Sequence, residues 1–479
     1  MAPVLVVSMF PLLLLIVVLP LVFAALLFFV PERNSLRLMQ IAICAVFLLC
    51  MIASYIGLSQ GFESLSFQQT YLQSLGINLS LQLTKYSSIF LMASAVVLLS
   101  SALVASTFIK ESRRIYSFLF LLAAGLGIGV FLSDNLFFFY VFWQMCEVAM
   151  FFTMYIFGSY DRRYAAIKYL IYSIFAGMFL LLGIVTLYIS LPLHTFSITQ
   201  ILSQASSIST SSQLIAAAFL AIAFLIRIPV FPFHNWLPDA HTEAPTPSSM
   251  VLSGVMLNFG GYGLLLLFSM LPVAAAYAPY FMFLLGFSAI YGAFVAIRQN
   301  NLKRFISYTS MIQMGIAAFG IASLTPLGIA GGVYVMLAHS LTISLLFLVS
   351  GAADDSFGTV LINRLTGIVR DAPFLAYSFF FATIAFVGMP LTSGFIGYFL
   401  TFQGAFSTYG IVGIFPIAAL LLDGAFLLLV LEKAFFSSSQ ASEPLSNPGI
   451  EVICAALFLI AASLILGILP SLLLSSFAV

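Results

Sequence analysis

Residues 224–241 read FLIRIPVFPFHNWLPDAH. An apolar helix runs into this stretch, carries Arg227, and then meets Pro229, Pro232 and Pro238. Proline has no N–H to donate and its ring clashes with the preceding turn, so the helix breaks here. The chain is apolar for many residues on both sides. Interrupted backbone against lipid would leave amides and carbonyls without partners, so such a break is tolerated only inside protein or beside a wet cavity. One stretch therefore places the chain in a membrane and gives it a polar interior.

The composition agrees. Of 479 residues, 63% are apolar and 6% are charged, against about 25% charged in a soluble domain. With no long polar stretch, the chain is one membrane domain without an extramembrane catalytic head. A net charge of +1 gives no case for nucleic acid as a partner. Cys44, Cys50, Cys146 and Cys454 lie in apolar runs without metal-ligand spacing and read as packing residues.

Working outward from the break, fourteen apolar runs of spanning length follow one another. They fall near 4–30, 36–59, 84–109, 115–133, 135–157, 163–190 and 213–237, then 248–270, 275–298, 304–323, 327–352, 371–407, 410–436 and 448–474. Numbered in order, they are helices 1 to 14. The first is preceded by no basic residue and followed by no small-residue cleavage site, so it reads as a span and not a signal peptide. Helix 12 is broken like helix 7, at Gly388, Pro390 and Gly394.

The basic residues test this count. Arg33, Arg37, Lys110, Arg113, Arg114, Arg162, Arg163, Arg298, Lys303, Arg304, Arg364, Arg370 and Lys433 all fall on one side, which is thirteen of the sixteen. Such asymmetry marks the cytoplasmic face of a cell (plasma) membrane and places both termini on the outer side. The breaks recur five helices apart, the pattern of two inverted repeats. The expected organisation is helices 1–3 over 1–114, a first repeat over 115–270, a second over 271–436, and helix 14 over 437–479.

Ionisable residues within a span are costly and therefore mark function. Glu147 sits mid-helix in FWQMCEVAMFF, Lys168 in AAIKYLIYS, Arg227 before the break, His339 in MLAHSLTIS and Asp423 in ALLLDGAFLLL. A carboxylate and a cation held close bias each other's proton affinity, and moving or hydrating them captures or releases a proton. Plainer readings stand beside this: a static Glu147–Arg227 pair, a Lys168 that snorkels to the interface, an Asp423 that caps a kink or meets a neighbouring subunit, a His339 that only bridges helices. Glu432 and Lys433 read as interfacial, and the phenylalanines around NLFFFYVF as packing.

The segment FHNWLPDAHTEAPTPSSMVLSGVMLNFGGYGLL (233–265) resembles the signature of the antiporter-like subunits of respiratory complex I. That family includes subunits of multi-subunit cation/proton antiporters and membrane-bound hydrogenases. NLFFFYVFW, AAIKYLIYSIFAG, NLKRFISYTSMIQMG, AHSLT and GMPLTSGFIGYF follow in the family's order, over roughly residues 115 to 436. Within the family the likeness is to the chain M branch, since the long lateral C-terminal helix of the chain L branch is missing.

The resemblance implies a proton path through a glutamate in helix 5, lysines in helices 6, 7 and 8, and an acid or lysine in helix 12. Lys168 matches the helix 6 lysine. Elsewhere the chain departs: Gln144 stands at the glutamate position, with Glu147 three residues on and about 4.5 Å further along the axis. The helix 7 lysine is Arg227, which holds its charge but does not readily give up a proton. The helix 8 lysine is Asn258, the helix 12 group is Tyr398, and a histidine of helix 10 is Gln313. Two readings stay open: a path rerouted through Glu147, Lys168, His339 and Asp423 with water at Asn258 and Tyr398, or a subunit that keeps the fold and pumps weakly.

The resemblance further implies no cofactor in this chain, redox and membrane subunits as partners, and protons or sodium as the coupling ion. The alternatives are a cation/proton antiporter or hydrogenase subunit and, in another class, a stand-alone solute transporter.

Overall fold

The computed structural model describes residues 11–72, 75–438 and 448–475. Residues 4–10 of the expected helix 1 lie outside them. Among the described residues, thirteen helical stretches are long and apolar enough to cross a membrane. One of these, Ser393–Phe436, has 44 residues, or about 66 Å of helix, twice the thickness of a bilayer core. It is interrupted at Gly410, whose φ is +51°. There the second half of helix 12 (Ser393–Tyr409) gives way to helix 13 (Ile414–Val430). With this stretch counted as the end of helix 12 and helix 13, the thirteen stretches among the described residues correspond to the fourteen expected helices.

Helices 1 to 6 are Leu12–Leu26, Ser35–Gln60, Lys85–Phe108, Arg113–Leu132, Leu136–Phe157 and Arg162–Ser190. Helix 8 covers Thr246–Met270. Helices 9, 10, 11 and 14 are Ala278–Ala296, Leu302–Ala322, Pro326–Phe357 and Ile450–Ile468. The apolar stretches of helices 10 and 11 are wholly buried, whereas those of helices 1 and 14 are only one-third buried. Without a hydrophobic force between helices in lipid, small residues drive close packing. Helix 11 and the second half of helix 12 show this: a Cβ on Gly331 or Gly397 would collide with the partner helix's backbone at Thr401 or Val335.

Both breaks fall where the prolines require. Helix 7 stops at Arg227 and resumes as Trp236–Glu243. The groups freed between them are recaptured: the Trp236 indole donates to the Ile226 carbonyl at 3.2 Å, and the Phe231 amide donates to Ser288 Oγ at 2.9 Å. Pro238 does not break the chain; it sits in the first turn of the second half, where a missing N–H costs nothing. Helix 12 stops at Val387 and resumes at Ser393. Gly388, with φ +83°, makes the left-handed exit, and Gly394 lies inside the second half.

One element was not foreseen. Ser66–Leu72 pairs antiparallel with Ile77–Gln82 as a hairpin, and Leu81 bridges to Ser133 at the end of helix 4. The alternation INLSLQ puts Ile77 and Leu81 inward. Cys50 and Cys146 are buried, and Cys44 and Cys454 lie on the outer surface.

Candidate functional site

Glu147 lies in the buried middle of helix 5, 1% exposed. Its Oε1 accepts from the Trp143 indole at 2.8 Å, one helical turn away, and lies 3.3 Å from Arg227 Nη1. Arg227 in turn is boxed by aromatic faces, its guanidinium 5.2 Å from the Trp236 ring and 5.8 Å from those of Tyr169 and Phe259. These faces stabilise a cation that has left water.

Arg227 has a second partner, and helix 8 supplies it. Leu252–Met256 forms a π turn. The Leu257 amide reaches back to Leu252, and the Gly260 amide bonds Leu257 instead of Met256. The Met256 carbonyl is thereby left without a helical partner, and Arg227 Nε donates to it at 3.0 Å. Glu147 Oε2 and Arg227 Nη2 have no hydrogen-bond partner. Both residues line a cavity of about 10 Å³ with Ser173 and Trp236, room for about one water.

Two residues beyond the π turn, Asn258 Nδ2 donates to Ser340 Oγ at 2.8 Å and to the Gly254 carbonyl at 3.1 Å. The next residue to Ser340 is His339, fully buried. Its Nδ1 lies 2.8 Å from Gln313 Oε1, and Ser310 Oγ lies 3.3 Å from its Nε2. Gln313 Nε2 donates to the Tyr398 hydroxyl. An amide oxygen only accepts, so the proton of this imidazole sits on Nδ1 and Nε2 accepts from Ser310. The bonds then run one way: Ser310 to His339, His339 to Gln313, Gln313 to Tyr398. Beside them, Thr309 donates to Asp423 Oδ1 at 3.2 Å, and Asp423 Oδ2 has no partner.

The structure thus pairs Glu147 with Arg227, Asn258 with Ser340, and His339 with Gln313 and Tyr398, three groups that follow one another through helices 8 and 11, with Asp423 at the far end. Lys168 stands apart. Its Nζ is 2.6 Å from Asp239 Oδ2, while Arg304 Nη1 holds the other oxygen at 2.7 Å. The Lys168 and Arg304 side chains are 24% and 39% exposed, so this trio sits towards the surface. Lys168 therefore pairs with the second half of helix 7 and not with Glu147.

Several participants escaped the sequence reading: Asp239, Arg304, Trp143 and the buried histidines His234 and His241. Trp143 was legible, four residues before Glu147 on the same helix face. His241 stacks on Phe347 with ring centroids 4.5 Å apart, and neither ring nitrogen has a hydrogen-bond partner. Among the described residues no cluster of three His, Cys, Asp or Glu side chains could hold a metal.

The family described as NADH:quinone oxidoreductase/Mrp antiporter, transmembrane, matches residues 133–422, more than half of the chain. Subunit M of the NADH-quinone oxidoreductase of Rickettsia prowazekii (strain Madrid E) is 33% identical over 376 residues, 78% of this chain and 76% of that one. The F(420)H(2) dehydrogenase subunit M of Methanosarcina mazei is 30% identical over 443 residues, 89% and 88% of the two chains. A chain of respiratory complex I from Thermus thermophilus with bound NADH superposes with a TM-score of 0.90 at 27% identity, over 97% of both chains. The chain belongs to the NADH:quinone oxidoreductase/Mrp antiporter family of multi-pass membrane subunits, and within it stands with the subunit M proteins of complex I-type quinone oxidoreductases.

Proposed function

We propose that this chain, as a membrane-arm subunit of a complex I-type quinone oxidoreductase, moves protons across the membrane while partner subunits carry out the redox chemistry. The observation that carries the reading is the buried line from Glu147 through Arg227, the Met256 carbonyl, Asn258, Ser340, His339 and Gln313 to Tyr398. It runs between two broken helices, where polar backbone is otherwise hard to accommodate in a membrane. No cofactor in this chain enters the scheme, and nucleic acid has no part in it.

Arg227 is the fixed charge, since a guanidinium does not give up its proton. Glu147 is the carrier. Arg227 is shared between the Glu147 carboxylate and the Met256 carbonyl, so a small shift towards the carbonyl, or a water entering the cavity, leaves Glu147 free to take a proton. A shift back expels it. Beyond Asn258 the groups are neutral, and since Ser340 donates to the Met336 carbonyl, water bridges the step to His339, with Asp423 as the far carboxylate. Protons suit this line better than sodium, because its two carboxylates are single and far from forming an oxygen cage. Lys168, with Asp239, forms the entrance on the basic side.

In this reading the basic loops face the cytoplasm, the termini face outward, and residues 115–270 and 271–436 are inverted repeats, each with one broken helix. The electron donor is left open by the relatives themselves, whose names carry NADH in one case and F(420)H(2) in the other.

Membrane vesicles containing the intact complex test this. Protons moved per electron fall in Glu147→Gln and in Lys168→Ala, while electron transfer in uncoupled vesicles stays near wild type. An unchanged ratio in both variants leaves the chain as a scaffold and overturns the reading.

A further inference from the structure

A further cavity lies away from the buried line, at the basic-loop ends of helices 9, 10 and 13. It holds about 580 Å³, within the range of specific ligand sites. Two cations line it, Arg298 just past the end of helix 9 and Lys433 at the end of helix 13, and no acidic side chain does. Neither cation is in an ion pair among the described residues. Asn363 and Ser437 add polar groups at the rim, and Phe305 and Phe426 form an apolar floor.

The cavity is held open by backbone. The Leu302 amide bonds the Val360 carbonyl and the Ile362 amide bonds the Asn300 carbonyl, each at 2.8 Å, tying the loop before helix 10 to the loop after helix 11. The Asn363 amide donates to Asn300 Oδ1 at 3.2 Å, and the Gly367 amide to Ser437 Oγ at 3.3 Å. Below the cations the cavity continues as apolar surface, with Phe426, Leu429 and Val430 of helix 13 on one side and Phe294 of helix 9 on the other. Phe294 is 59% exposed.

We propose that this cavity binds an anionic glycerophospholipid, its phosphate between Arg298 and Lys433 and its acyl chains along the groove between helices 9 and 13. Two cations with no acidic partner among the described residues favour an anion, and the apolar floor beneath them favours one that carries hydrocarbon. A free phosphate would use only the upper half. Basic pockets between helices on the positive side of a membrane protein bind lipid headgroups in this way. A lipid seated here would fasten the end of helix 13, which carries Asp423, to the 9–10 and 11–12 loops.

The test uses the purified complex in nanodiscs of mixed phosphatidylglycerol and phosphatidylcholine. Extraction in mild detergent and native mass spectrometry then count the retained lipids. Each basic residue near a membrane surface contributes about five-fold in affinity for anionic lipid, so Arg298→Ala with Lys433→Ala lowers phosphatidylglycerol retention about 25-fold. Phosphatidylcholine retention stays the same. Arg298→Lys with Lys433→Arg restores it, and Arg364→Ala, on the same side but outside the cavity, leaves it unchanged.

Equal retention in the double alanine variant overturns the proposal, as does an equal loss in Arg364→Ala. Displacement by inorganic phosphate alone would make this a free-anion site, which also overturns it. A photoactivatable phosphatidylglycerol on the wild-type complex gives a measurement independent of folding in the variants. Labelling at residues 294–300 and 426–438 supports the site, and labelling elsewhere overturns it.

Discussion

At one end of the buried line, a carboxylate and a guanidinium face each other across 3.3 Å in helices 5 and 7. At the other, Ser310, His339, Gln313 and Tyr398 hand hydrogen bonds along helices 10, 11 and 12 without a formal charge. The two ends solve one problem differently. The charged end stabilises its ions by pairing, by aromatic faces and by a carbonyl that a π turn has released. The neutral end stabilises nothing ionic and works only because each donor meets an acceptor. The charged end can therefore respond to an electric signal from a neighbouring subunit, and the neutral end can only conduct.

Removing one member of the buried ion pair breaks this contrast with the largest effect. Arg227→Ala leaves Glu147 as an unpaired buried carboxylate, at a cost of about 3–5 kcal/mol. Thermal unfolding of the purified complex in detergent reads it as a large fall in midpoint or as loss of the subunit from the assembly. Arg227→Lys, which keeps the charge, recovers most of the loss. Were Arg227→Ala to unfold within a degree of wild type, Glu147 would be protonated or hydrated in the resting protein and the charged end would not be charged.

The neutral end gives a middle-sized effect with a different signature. Gln313→Leu deprives His339 Nδ1–H of its acceptor and Tyr398 of its donor, and a buried polar group left unmatched costs about 1–3 kcal/mol. Because no ion is involved, the loss is the same at low and high salt. Gln313→Glu is the sharpening variant. It keeps the shape, adds a titratable group beside His339, and changes the pH dependence of unfolding from that of the wild type.

The breaks were legible because proline chemistry is local: Pro229, Pro232 and Pro390 announce lost amides wherever they occur. Glu147 and Arg227 were legible as buried charges, and even as a pair, since both sit mid-span without other partners nearby. What could not be read was who meets whom at a distance. Asp239 is the clearest case. In sequence it is one acid in WLPDAH at a helix start, where an acid is ordinary. Only the fold sets Lys168, 71 residues earlier, and Arg304, 65 later, on its two oxygens. The π turn was equally hidden, because nothing in LSGVM announces an extra residue in the turn, although the carbonyl it frees is the second partner of Arg227. The hairpin at 66–82 was overlooked for a simpler reason. The alternation of INLSLQ is too short to stand out between long apolar runs.

That surface trio supplies the smallest effect and sets the scale for the other two. Arg304 is 39% exposed and shares Asp239 with Lys168, so Arg304→Ala leaves the carboxylate still paired. Partly solvated pairs of this kind contribute about 0.2–1 kcal/mol. Screening acts over about 10 Å at 0.1 M salt, so the difference between Arg304→Ala and wild type shrinks as salt is added. The cost of Arg227→Ala, in a site that ions do not enter, stays put. Parallel unfolding of both variants across a salt series therefore separates entrance from midplane. If Arg304→Ala proved as costly and as insensitive to salt as Arg227→Ala, Asp239 would be sealed from water in the assembled complex. The trio would then belong to the buried line and not to its mouth.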